Sequence, residues 1–322
     1  MTTFGHAVLA VVDGDAATLR SLLDAEPSLA TAVGSAVQTP ADGRPNGGQE
    51  QEGSPLLHYV AANGVEDDLQ RSPANAPEIC QMLLDAGAPA DQLGGTYGGG
   101  PNQTCLCLLV SSYHPMASGV QTDLVRVLIA GGAAPNGLLD DGAPLATALT
   151  FGYTGAARAL AECGARVDNV LFAAGLGDVK AVRSFFDSDD GKLRAGSTGT
   201  YVPCIGGQEG AAAPTEPAAI VQEALHFACL HGHIAVADYL VSQCSADVNG
   251  LQPEGHHCAL PLLQALFTGV QGEMVEWLVS RGADPRRRDP KRHKTALEFV
   301  AGAGDPSQEQ LLQRAVERLA RL

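Results

Sequence analysis

Histidine and cysteine are the side chains in this 322-residue sequence best suited to chemistry on their own, and several fall close together. His226, His231 and His233 share one short stretch, and His256, His257 and Cys258 follow about one element later. Imidazole and thiolate are zinc ligands, and a zinc-bound water would supply a hydrolytic nucleophile. The spacing argues against it. Zinc helices pair histidines four apart so that both rings share a face, whereas His226 and His231 are five apart. Cys105 and Cys107 alternate, which suits one end of a helix poorly as a chelate, and no second cysteine pair completes four ligands. The sequence therefore reads with no catalytic residue, no metal and no cofactor. A metal-assisted hydrolase drawing on His231, His233, His256 and His257 is the competing reading, because these residues fall in neighbouring units.

Other chemical signatures are weaker. Gly98-Gly99-Gly100 lacks the Lys-Ser/Thr of a phosphate loop and follows no apolar strand, so it reads as a finger tip. No G-x-S-x-G nucleophile elbow occurs. One electrostatic anomaly stands out. Residues 286–294 hold Arg286, Arg287, Arg288, Lys291, Arg292 and Lys294, six of the 20 basic residues in a chain of formal charge −16. Such a finger could dock an acidic partner, or the acidic face of another copy, which makes self-assembly a further alternative.

Composition narrows the class. Hydrophobic residues make up 45% and charged residues 17%, which is globular. The acidic balance speaks against nucleic acid, whose phosphates need clustered Lys and Arg. No segment approaches the ~20 apolar residues of a membrane span. Met1 to Val12 lacks a basic lead and reads as no signal peptide. Eight cysteines without a C-x-x-C pair fit a reducing cytoplasm.

The elements that must carry these residues follow a repeated phrase. An apolar residue precedes a turn glycine by seven positions in the pairs Ala7/Gly14, Leu57/Gly64, Leu145/Gly152, Val170/Gly177, Leu225/Gly232, Leu262/Gly269 and Leu297/Gly304. Leu106 is in phase, but Tyr113 stands where its glycine belongs. Seven residues are two helical turns, so a short helix is expected, ended by a residue that tolerates positive φ. A second apolar helix follows each turn, as in Leu19-Leu22-Leu23 and Val236-Tyr239-Leu240. Gly-Ala at 87–88, 132–133, 164–165 and 282–283 then stops it.

This phrase resembles the ankyrin repeat, whose pattern is Thr-Pro-Leu-His-x-Ala-Ala, a turn Gly, a second helix and Gly-Ala-Asp. Thr104-Cys105-Leu106-Cys107, Ala143-Pro144-Leu145-Ala146 and Thr295-Ala296-Leu297-Glu298 are degenerate copies of the opening tetrad, and His58 and His226 keep its histidine. The resemblance implies an all-α solenoid of stacked helix-turn-helix units with hairpin-like fingers, spanning 1–322 as one domain. Units fall near 4–33, 54–91, 104–136, 142–168, 169–187, 221–249, 258–285 and 293–322, with loop insertions at 34–53, 66–77 and 188–218. It further implies that His58 and His226 start the first helix and bind backbone of the inter-repeat turn.

The function implied is noncovalent binding of a protein partner, as an interaction module or scaffold, through the concave face and fingers. In that family the two residues before each turn glycine face the concave side. Here these include Asn63, Ser112, Phe151, Leu176, Leu230, His231 and Phe267, with Tyr97 on the glycine finger and His114 on the anomalous turn as additions. Neither the partner nor the oligomeric state is encoded in any recognisable motif.

Overall fold

The computed structural model describes residues 2–34, 53–96, 100–187, 192–194, 215–251, 259–267, 272–290 and 292–303, with 310, 312–314 and 317. The fold is all-α, built from helix-turn-helix units and short antiparallel fingers.

Each unit is set by capping and burial. In the first, Thr2 Oγ1 accepts from the Gly5 N–H to open α1 (Thr3–Asp13), and Gly14, at φ 75°, closes it. Asp15 then accepts from Thr18 N–H to start α2 (Ala16–Ala25), whose Leu19 and Leu23 are buried. The expected left-handed turns are present at Gly14, Gly64, Gly152, Gly177 and Gly232, and again at Gly87, Gly132, Gly164 and Gly282. Gly269 and Gly304 lie outside the described residues. The phase-setting residues Leu57, Leu106, Leu145, Val170, Leu225 and Leu262 are at most 3% exposed.

The chain forms two compact units, the first mainly residues 1–166 and the second mainly 167–322. In the first, α1, α3 (Leu56–Ala61), α5 (Cys105–Leu109) and α8 (Ala143–Thr150) pack in succession as one row. A second row runs α2, α4 (Ala76–Asp85), α7 (Gln121–Ala130) and α9 (Thr154–Glu162), with α6 (Tyr113–Ala117) placed between α5 and α7 in the chain. In the second compact unit α10 (Val170–Leu176), α12 (Pro217–Leu230), α14 (Pro261–Phe267) and α16 (Ala296–Ala303) pack in order. There α11 (Val179–Ser184), α13 (Ile234–Gln243) and α15 (Gly272–Ser280) form the other row.

Side chains shortly after the second helix of a unit, past Gly-Ala at 87–88 and 132–133 and past Ser245-Ala246, tie neighbouring repeats together. The Asp91 carboxylate accepts from Ala134 N–H at 2.9 Å, Asn136 Oδ1 from Arg166 N–H at 2.9 Å, and Asn249 Oδ1 from Asp284 N–H at 2.8 Å. This recurrence explains why Asp or Asn follows the stop. Its side-chain oxygen satisfies a backbone N–H that no helix can reach.

The insertions differ in character. Residues 66–77 are an ordered clasp. The Tyr59 hydroxyl donates to buried Glu66, Arg71 pairs with Asp13 at 2.8 Å, and the Asn75 amide donates to Gly14 O. The 34–53 loop springs from a hairpin of β1 (Val33–Gly34) and β2 (Ser54–Pro55), and the glycine finger from β3 (Gly94–Thr96) and β4 (Gly100–Gln103). Residues 35–52, the finger tip 97–99 and 195–214 lie outside the described residues. One boundary shifts. Helix α12 begins at Pro217, inside the expected 188–218 insertion and ahead of the expected start of its unit near 221.

Candidate protein-interaction surface

The clustered histidines are spread over separate structural tasks. His226 lies well inside the lengthened α12, not at its start, and its Nδ1 meets the Gln222 carbonyl of the same helix at 2.6 Å. The expectation that it starts the helix fails, because Pro217 starts the helix earlier, while its ring still meets backbone of the following turn at Gly250 and of Ala259. Gln222 also holds the finger: its amide donates to Asp247 O and its oxygen accepts from Asp247 N–H. His58 does bind turn backbone, its Nε2 lying 3.0 Å from Gln92 O. Burial pushes both imidazoles down to about 4, so both are neutral at physiological pH.

His233 bridges repeats. Its Nε2 lies 3.0 Å from Gly175 O, and its ring covers Gly177 so closely that a Cβ there would fall 2.6 Å from Nδ1. His231 is buried and stacks on His233 at 6.1 Å. Among the described residues no group of three or more His, Cys, Asp or Glu side chains is placed to hold a metal ion. His256, His257 and Cys258 lie outside them. Cys105 and Cys107 are buried, and Cys105 Sγ donates to Leu57 O at 3.1 Å. Burial raises the thiol of Cys105 and pushes that of Cys80 up to about 12.

The residues before the turn glycines divide by burial. Ser112 is 2% exposed and donates to Ala62 O, Leu230 is 3% exposed, and His231 is 5% exposed, so none of the three offers a contact surface. The reason is packing: these helices are short, and their last residues still face the neighbouring repeat. The Asn63 amide joins its repeat to the next through Leu108 O at 3.0 Å and Ser111 Oγ at 2.8 Å. Phe151, Leu176 and His114 are half-buried. Phe267 is exposed on one side and stacks on Phe299 at 5.8 Å. Tyr97 lies outside the described residues.

The turn without a glycine is rebuilt. Tyr113 opens α6, and the left-handed residue comes later, at Gly119. The buried Gln121 amide donates to Leu109 O at 2.9 Å and Ser112 O at 3.2 Å, capping carbonyls that the missing turn leaves open. Tyr113 becomes one of the most exposed large side chains among the described residues, with Met116 beside it in α6. In the next repeat Tyr153 occupies the N-cap position of α9 and makes no capping bond, where Asp15 and Asp178 cap α2 and α11. Its ring stacks on Phe151 at 6.0 Å. The sequence signal for Tyr153 was available: an aromatic directly after a turn glycine, where a capping Asp serves elsewhere.

The basic finger is wired from within. Asp289 is fully buried and accepts from Arg292 N–H at 2.7 Å. Arg288 makes a two-pronged pair with Glu298 at 2.8 and 2.9 Å and also donates to His293 O. The Arg292 guanidinium lies over the Phe267 ring. Arg286, Arg287 and Lys294 are exposed, and Lys291 lies outside the described residues.

With this geometry in place, comparison with known proteins is direct. Residues 222–250 match the ankyrin-repeat family model. That segment resembles an ankyrin repeat. The matched segment is the repeat with Leu225, Gly232 and the His233 bridge, and the same turn geometry recurs across both compact units. Among solved structures, the human ASB11 ankyrin repeat domain is similar at 19% identity, covering 80% of this chain and 96% of that one, with a TM-score of 0.31. No curated protein matches the sequence. Ankyrin repeats are in general protein–protein interaction modules. No helix among the described residues is long and apolar enough to cross a membrane.

Proposed function

We propose that this chain is a non-catalytic ankyrin-repeat recognition module that binds a protein partner through the face before its turns and through its fingers. The observation that carries this reading is the surface around Tyr113. This side chain is 64% exposed on a helix that the repeat does not require, its ring edge-on to His114 and with the exposed Met116 on the same helix. An exposed aromatic surface on a rigid scaffold suits docking, since little backbone ordering accompanies contact. Phe151, Leu176, His114 and Phe267 remain the accessible members of the pre-turn face, and Arg286, Arg287 and Lys294 form a second contact point for an acidic segment. The deeply buried, reduced thiols of Cys80, Cys105 and Cys229 fit a cytoplasmic setting.

A photo-crosslinking side chain placed at 113 tests the surface, with one at Leu139, which is 85% exposed, as the control. A discrete protein adduct from 113 and none from 139 supports the reading. The same adducts from both, or none from either, overturn it.

A further inference from the structure

The second compact unit carries an open pair of aromatic rings. Phe267 at the end of α14 stacks on Phe299 of α16, with ring centroids 5.8 Å and planes 26° apart. The two helices pack against each other, which brings the rings of successive repeats together. One repeat earlier the positions of Phe267 and Phe299 are held by Leu230 and Phe227, counted from Leu225, Leu262 and Leu297. Those two are 3% and 4% exposed, whereas Phe267 is 39% exposed and Phe299 is half-buried. The stack therefore leaves apolar surface open here that it covers one repeat before.

Cations border the same surface. The Arg292 guanidinium lies 5.6 Å from the Phe267 ring centroid, and buried Asp289, 3.7 Å from its Nη1, holds it there. Lys294 reaches over α16 one turn past Phe299: a Cβ at Gly302 would fall 3.4 Å from its Nζ. Positions 299 and 302 are three apart and share a helix face, so the ammonium and the ring lie on one side of α16. The acids of this finger are occupied within it. Asp289 is buried, Glu298 pairs with Arg288 and accepts from Thr295 N–H, and Asp284 accepts from Arg286 N–H. Arg286, Arg287 and Lys294 are exposed, and no described carboxylate forms an ion pair with any of them.

We infer that the Phe267–Phe299 surface receives an acidic segment of a partner protein in which a large apolar side chain sits beside the carboxylates. This deepens the interaction reading and rests on it. The apolar side chain covers the open rings, and a neighbouring carboxylate meets Lys294. Burial of ring surface supplies the affinity. The cations at its border select an acidic segment over a basic one.

The test uses the full chain and a blocked heptapeptide, Gly-Ser-Asp-Phe-Glu-Ser-Gly, titrated by NMR. One counterpart replaces Asp and Glu by Asn and Gln, which keeps the shape and removes the charge. The other replaces Phe by Ala, which keeps the charge and removes the anchor. The parent peptide is expected to bind about three- to tenfold more tightly than the Ala peptide. Lys294→Gln is expected to weaken the parent peptide about two- to fivefold, with thermal melting unchanged because the side chain is exposed. Equal affinity for the Phe and Ala peptides overturns the inference by leaving only a basic finger. Equal affinity for the acidic and amide peptides overturns it by leaving only an apolar surface. Undiminished binding in Lys294→Gln overturns it by taking the site away from α16. Each of these results leaves an adduct from position 113 intact as support for the interaction reading, whereas loss of that adduct removes the reading itself.

Discussion

At the turn after α12, Gly232 adopts the left-handed conformation and His233 reaches Gly175 O in the preceding repeat. At the turn after α5 no glycine is available, a short helix fills the gap, and Gln121 reaches back to Leu109 O and Ser112 O. The first turn directs its polar atoms into the stack and buries its aromatic neighbourhood. The second satisfies its backbone from one distant side chain, and that frees Tyr113 to point into solvent. Departure from the repeat is therefore tolerated wherever a single buried amide can take over the backbone bonds, and the surface changes there without loss of the stack.

The comparison breaks first at the core positions that the two repeats share. Leu225→Ala and Leu106→Ala are each expected to cost about 2–5 kcal/mol in urea unfolding, since both side chains are at most 1% exposed. A cost under 1 kcal/mol at Leu106 would mean that the repeat with the rebuilt turn is not packed like the other.

A pH effect comes next. Burial holds His58 and His226 near 4 when folded, while unfolded imidazoles titrate near 6.5. The unfolded chain thus binds more protons between these values, so stability is full above pH 6.5 and declines as the pH falls toward 4. The decline is up to about 3 kcal/mol per histidine. Unfolding midpoints at pH 7 and pH 5 should differ in the parent and differ less in His226→Gln. An unchanged difference would remove the buried neutral imidazole from the account.

The two turns themselves separate at a smaller scale. Gln121→Ala leaves two buried carbonyls without their donor, and His233→Ala leaves one, each costing about 1–3 kcal/mol with Gln121 the larger. A larger loss at His233 would show that its ring over Gly177 matters more than its bond. Smallest of all, Tyr113→Ala and Arg287→Ala should leave the melting temperature unchanged, because neither side chain packs against the core. A drop in either would place that residue inside the scaffold and not on its surface.

Much of the fold was legible from residues alone. The seven-residue interval from Leu to Gly is a local property: two helical turns and one left-handed residue depend on the chain's own geometry, so they appear where the spacing places them. The start of α12 was not legible in this way. Ile220 and Val221 before Glu223 are apolar and in helical phase with Ala224 and Leu225, but the Ala-Pro-rich run that leads into them reads as loop, and Pro217 at the helix start joins Gln222, tied to the neighbouring finger, in lengthening the helix. The binding face was legible only in part. Ser112, Leu230 and His231 read as surface by their place in the repeat, yet the next repeat covers them, and coverage by a neighbour leaves no mark on local spacing.

The sequence by itself determined the repeat, the positions of its turns and the departure at Tyr113, because each follows from contacts within about ten residues. Tertiary structure alone decided the rest. It turned His233 into a bridge and 66–77 into a clasp, and it left Tyr113 exposed on α6. Those outcomes depend on residues tens of positions apart meeting across stacked helices, where burial and backbone bonding choose which side chains are covered and which are left to bind.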